Sequence, residues 1–163
     1  MFMSSSVPSG PRDLNGRVVE QGRLARLRSR LRPRPEAGPL TLDERVEVVA
    51  RSDDDAIASS VALDASSWRA AEEVILRHHV EVPPARRAEA AAVAALDGYE
   101  SVDDDRWGPS PPALEDGFVV LVLARVQLLD AMHLSQERSR MASLGSRHGG
   151  FAREWAVLQR RPG

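Results

Sequence analysis

The sequence predicts an α+β fold: a ferredoxin-like βαββαβ sandwich preceded by an N-terminal helical extension. Three observations carry that prediction. Val74 to Val82 and Phe118 to Val126 are dense in β-branched and apolar residues, as central strands are. A helix-forming segment follows each region, and both end at glycine, Gly98 and the Gly149-Gly150 pair. Phe151 to Gln159 then supplies a last strand, which completes the split βαββαβ order.

The elements follow in order. Residues 1–40 read as a basic, largely disordered arm. Within it Leu24, Leu27 and Leu31 have helical spacing, with Arg23, Arg26, Arg28, Arg30 and Arg32 around them. Pro33, Pro35, Gly38 and Pro39 form a linker. Deleting the arm is expected to leave the domain folded, because it has few apolar residues to contribute. Residues 41–71 read as a helical extension. Leu42 to Arg51 suits a helix, although Val46, Val48 and Val49 also permit a strand. Ser52 or Asp53 is expected to cap a helix over Ala56 to Leu63, with Asp54 and Asp55 favouring its positive end. Those acids lack the spacing of a calcium loop.

The domain proper is read over residues 72–160. Pro83-Pro84 stops the first strand and starts a helix over Ala85 to Asp97, with Ala88, Ala92, Ala95 and Leu96 on its packed face. Tyr99 to Val102 is a short strand, and Asp103 to Asp116 is an acidic, proline-rich loop. Ser135 is expected to cap the second helix, with Glu137 in its first turn, running through Ser146. In the last strand, strict alternation places Phe151, Arg153, Trp155 and Val157 on one face. The run from Phe118 is apolar at odd and even positions alike, so both sheet faces should be covered. The second cover is either the helices before Val74 or another subunit, which leaves a homodimer open.

Composition narrows the function. The chain of 163 residues has no cysteine, which excludes disulfides, zinc-thiolate sites and thiol catalysis. It also has no lysine: all 22 basic residues are Arg, which points to GC-rich codon usage and a bacterial source. No phosphate loop of the Walker type is available without lysine. The net charge of −2 divides unevenly, since residues 1–40 carry +5 and residues 41–163 carry −7. The longest apolar run, Phe118 to Ala124, is far short of the ~20 residues that span a bilayer. Met1 to Gly10 lacks the charged start and apolar stretch of a signal peptide, so a cytoplasmic location is expected.

Candidate sites are few. His78 and His79 are adjacent on a strand, so their side chains leave opposite faces and do not share a metal. No catalytic residue, cofactor or metal is expected. Gly117-Phe118-Val119 echoes an RNA-binding signature, but the further aromatics it needs are absent from the first and third strands. Asp103, Asp104, Asp105 and Trp107 are the candidate partner-binding residues, with Trp107 either an interface anchor or a pin holding the loop on its own sheet. Arg23, Arg26, Arg28, Arg30 and Arg32 are the candidate anion-binding residues, for RNA or an acidic protein.

From about residue 72 to 160 the sequence resembles the ribonuclease E inhibitor family, regulator of ribonuclease activity B. The likeness rests on His78-His79 before an amphipathic helix, on Ala91-Ala92-Val93 running into Gly98-Tyr99-Glu100, and on Met141 to Trp155. The resemblance implies a ferredoxin-like fold, no enzymatic activity and a protein partner, with a role in RNA decay. Two features depart from it. The family's Tyr-Asp-Gly-Trp is Ala152-Arg153-Glu154-Trp155 here, and the chain ends in Gln159-Arg160-Arg161-Pro162-Gly163 in place of an acidic tail. The expected function is thus a non-catalytic protein-binding regulator, an inhibitor of a ribonuclease E-type enzyme. The alternatives are a nucleic-acid binder acting through the arm, or a small-ligand sensor.

Overall fold

A computed structural model describes residues 10–19 and 38–163. The candidate arm residues Arg23, Arg26, Arg28, Arg30 and Arg32 lie outside the described residues. The order is β1 (Glu47–Ser52), α1 (Ser59–Asp64), β2 (Val74–Val82), a 3-10 turn (Pro84–Arg86), α2 (Arg87–Leu96), β3 (Glu100–Ser101), β4 (Val119–Gln127), α3 (Ala131–Arg147) and β5 (Phe151–Gln159). The strands form one antiparallel sheet in the order β1-β5-β2-β4-β3.

The sheet's centre is the long β2–β4 ladder, unbroken from Val74 opposite Gln127 to Val82 opposite Val119. The helices lie on one face. Val80, Val82, Leu121 and Leu123 pack there with Ala90, Ala94, Met141 and Leu144, and Val74, Leu76 and Val157 pack with Leu63 and Leu134. The second face is covered too, as the continuous apolar run in β4 requires. Among the described residues no helix supplies that cover. It comes from Leu40, Leu42, Val46, Val102 and Trp107 in loops, lying on Ile75, Val122, Ala124, Val126 and Leu158.

Several expectations are corrected. The extension over residues 41–71 is only partly helical, because Glu47–Ser52 is a strand. Its valines suit a pleated surface, and the β5 edge offers backbone partners that an isolated helix lacks. Ser52 and Asp54 cap a turn, not the helix: Asp54 N–H donates to Ser52 Oγ (3.1 Å) and Ala56 N–H to Asp54 Oδ1 (2.9 Å). Helix α1 begins later, with no side-chain cap. In α2 the buried face is Ala90 and Ala94, whereas Leu96 is 86% exposed. With alanine on every side, the sequence carries too little contrast to fix the rotation.

Helix α3 starts before Ser135. Asp130 is its cap, accepting from His133 N–H at 2.7 Å, and Glu137 therefore sits inside the helix and is buried. In β5 the alternation breaks. His79 pairs with Glu154 and Val80 with Ala152, so Arg153 is an extra, bulged residue. Trp155 and Val157 face the helices, while Arg153 reaches Glu81 and the loops on the other side. The boundary at residue 40 also moves. Leu40 is in the core, and residues 10–19 are docked: Leu128 N–H donates to Asp13 O (3.0 Å) and Arg12 N–H to Glu73 Oε2 (3.0 Å). Removing residues 1–40 therefore strips contacts from the folded body.

The helix rotation and the strand assignment can be tested together. Leu121 is fully buried, so Leu121→Ala should cost about 2–5 kcal/mol in urea unfolding. Leu96→Ala should change stability by no more than about 0.5 kcal/mol. The opposite ranking would show α2 turned the other way.

Candidate functional site

A buried polar cluster occupies the helix side of the sheet, where a purely apolar core would be expected. Arg125, near the end of the most apolar strand, points at α3. Its Nη2 lies 3.1 Å from Glu137 Oε1, and both side chains are about 5% exposed or less. Arg125 also donates to Asp97 O (2.8 Å) and to Gln127 Oε1 through Nε (3.0 Å) and Nη2 (2.8 Å). Its guanidinium carbon lies 4.6 Å from the Tyr99 ring centroid, a cation–π contact. Tyr99 OH donates to Glu137 Oε2 at 2.6 Å. Arg140 closes the cluster, with Nε 3.3 Å from Glu137 Oε2 and Nη1 2.7 Å from Asp97 Oδ1.

His78 lies beside this cluster. Its ring meets Tyr99 edge-on at 5.6 Å, with Nε2 3.4 Å from the phenol oxygen. Burial, then the charge of Arg125, pushes the imidazole down to about 3, so His78 is neutral near pH 7. Burial likewise raises the Tyr99 phenol, which stays protonated. His79 leaves the other face. Its Nδ1 is 2.9 Å from Glu154 Oε1, which favours the charged ring but is not aligned as a hydrogen bond. Burial and the Arg77 and Arg153 guanidiniums outweigh that carboxylate and push His79 down to about 4.

His78 also lines a groove of about 440 Å³ between α3 and the start of β5. Ser135, Ser139, Ala142 and Ser146 recur along one face of α3 and form one wall; Met141 and Trp155 also line it. The small wall residues keep the helix from filling the space. Arg138 crosses one end, donating to Ile57 O (2.8 Å) and Ser59 Oγ (3.1 Å). Strand β1 stops there, at the pairing of Ser52 with Trp155, so among the described residues no strand pairs with the outer edge of Phe151 to Glu154.

The candidate partner-binding residues lie elsewhere, on the loop covering the second sheet face. Asp103 is paired with Arg87. Asp104 accepts from Arg106, whose hydrogen bond holds the carboxyl below its usual range. Asp105 is exposed and accepts from Ser110 N–H at 3.4 Å. Trp107 packs against the sheet, the self-pinning alternative. The loop is tied down by Glu81, which accepts from Leu114 N–H (2.8 Å) and Glu115 N–H (3.1 Å). Sequence reasoning missed the groove and the Arg125 cluster. A lone Arg and a Gln in the most apolar strand were a visible signal for the cluster, and a small-residue stripe at helical spacing was one for the groove.

His78 should make the fold acid-sensitive. Its folded value, about 3, lies below its ordinary 6.5. Between those values the unfolded chain binds more protons, so the contribution is complete above about pH 6.5 and is lost as pH falls toward 3. The loss is up to about 1.4 kcal/mol per pH unit. Urea unfolding from about pH 7 to about pH 4 should show that slope, and His78→Leu should make it shallower. An unchanged slope would assign the acid sensitivity to other groups. Compared with known proteins, the chain matches no family model, no curated protein and no solved structure.

Proposed function

We propose that the chain is a non-catalytic regulator that occupies the surface of a protein partner, and that Val74 to Gln159 is a ferredoxin-like unit carrying β1 as an added edge strand. The fold reading is supported by the order β5-β2-β4-β3, which places the unit's fourth, first, third and second strands side by side. Among the described residues no helix is long and apolar enough to cross a membrane.

One observation carries the regulatory reading. The stretches that resemble the ribonuclease E inhibitor family meet in space. His78 is in register with Trp155, its ring abuts Tyr99, and the Gly149-Gly150 turn brings β5 against β2 so closely that a Cβ on Gly150 would collide with Glu81 O. These residues form a frame. His78 is held neutral, the phenol is held protonated, and Glu137 is clamped between two arginines. The polar atoms of Tyr99, Glu137 and the two arginines answer one another, which suits a rigid binding body better than bond chemistry.

A ribonuclease E-type enzyme of the same cell, in the cytoplasm, is the proposed target. The test is titration of that enzyme with the full chain, reading RNA cleavage. Inhibition should saturate at a fixed stoichiometry. No binding by the wild-type chain would reject this target.

A further inference from the structure

We propose that the groove between α3 and the free half of β5 is a docking site for the extended C-terminal tail of a partner protein, added as a strand against Phe151–Glu154 with its terminal carboxylate at Arg138. The inference rests on the protein-binding reading above and names how the partner is held.

The unpaired edge supplies the first part. A sheet edge presents unpaired backbone N–H and C=O groups, and an extended peptide completes them while its side chains enter the adjoining pocket. Among the described residues, the half of β5 from Phe151 to Glu154 is open in this way; from Trp155 to Gln159 the same edge is filled by β1. The groove beside it lies within the usual range for ligand sites, about 300–1,000 Å³. Its lining is mixed: Met141, Ala142 and Ala152 are apolar, and Ser135 and Ser139 supply hydroxyls. Small side chains of an added strand fit against it.

The blocked end supplies the second part. An added strand cannot continue past Trp155, because β1 already occupies that line. A chain terminus fits there, and a through-running segment collides. The groups at that end decide which terminus. Arg138 meets carbonyl and hydroxyl oxygens, and no carboxylate pairs with it among the described residues. Its guanidinium carbon lies 5.8 Å from the Trp155 ring centroid. Trp155 is 4% exposed, and its indole N–H has no hydrogen-bond partner. Trp68 and Trp107 share that lack, but of the three only Trp155 lines the groove. A guanidinium without a carboxylate favours an anion over an ammonium group. Asp55, exposed at the rim, limits the site to one negative charge and disfavours a polyacidic tail. With its carboxylate at Trp155, the tail runs parallel to β5.

The experiment uses the full chain and a display library of random octapeptides with free C termini; selected peptides are then made as acids and as amides. The acid forms should bind, and amidation should weaken binding at least about tenfold. Arg138→Gln should weaken the acid peptide about as much while leaving the amide's affinity unchanged. Ala142→Trp, at an exposed position on α3, should fill the groove and abolish binding with the melting temperature preserved. An empty selection, equal binding of acid and amide, or peptide binding that survives Ala142→Trp would each overturn the proposal. The same two variants separate this claim from the regulatory one. If both still inhibit the ribonuclease like the wild type, the groove assignment fails and the regulator reading stands. If the wild type binds free-carboxylate tails but not the ribonuclease, the groove stands and the target falls.

Discussion

Arg125 places a permanent charge in the most apolar strand of the protein, and the surrounding architecture is arranged to answer it. A guanidinium removed from water is tolerated only when its charge is paired and its N–H groups are used. Glu137 supplies the countercharge from α3, the Asp97 carbonyl meets it from the end of α2, and Gln127 from its own strand. These contacts bind both long helices to the sheet at a fixed depth. They also reach the N-terminal segment. Gly16 lies against the Arg125 stem with φ +73°, where a side chain would have no room. Gln127, oriented by Arg125, donates onward to Leu14 O at 3.1 Å.

The two sheet faces solve burial differently. The helix face is sealed by regular elements and carries this ionic cluster. The other face is sealed by loops, which need their own anchors because they have few apolar residues. Glu81, fully buried, is the central one, gripping the Leu114 and Glu115 backbone while Arg153 bridges it to Pro112 O. The bulge in β5 is what lets Arg153 reach that side while Trp155 reaches the other. It lies in the half of β5 left open beyond the end of β1, so one irregularity helps shape both the loop cover and the groove.

Strong local patterns were legible in the sequence. The ends of β2 and β5 were read where the structure has them, because β-branched runs bounded by proline or glycine leave few alternatives. What failed depended on partners distant in the chain. Glu47–Ser52 is a strand because β5 offers it an edge. The α2 face is chosen by Tyr99 and Leu123, since an alanine-rich helix does not declare one. The N-terminus of α3 was missed because Ser135 is as good a cap by type as Asp130; Ser135 lies in the second turn of the helix, hydrogen-bonded to Ser59 Oγ. The need for cover on the second face was read correctly from β4. That loops supply it was legible only at Trp107, which the sequence offers as a pin for its own loop; Leu40 sits in a stretch whose composition signals only exposure.

The central claim is that the Arg125–Glu137 pair acts as one unit that holds helix to sheet. A double-mutant cycle measures this directly, using Arg125→Met, Glu137→Leu and the combination, each followed by urea unfolding. Glu137→Leu strands the Arg125 charge and should cost about 3–5 kcal/mol, whereas Arg125→Met leaves Glu137 with Arg140 and Tyr99 and should cost less. The combination removes both charges, so it should cost well below the sum, with a coupling of at least about 2 kcal/mol. Strictly additive losses would contradict the account, because they would mean that the two side chains contribute independently and that something else fixes the helices on the sheet.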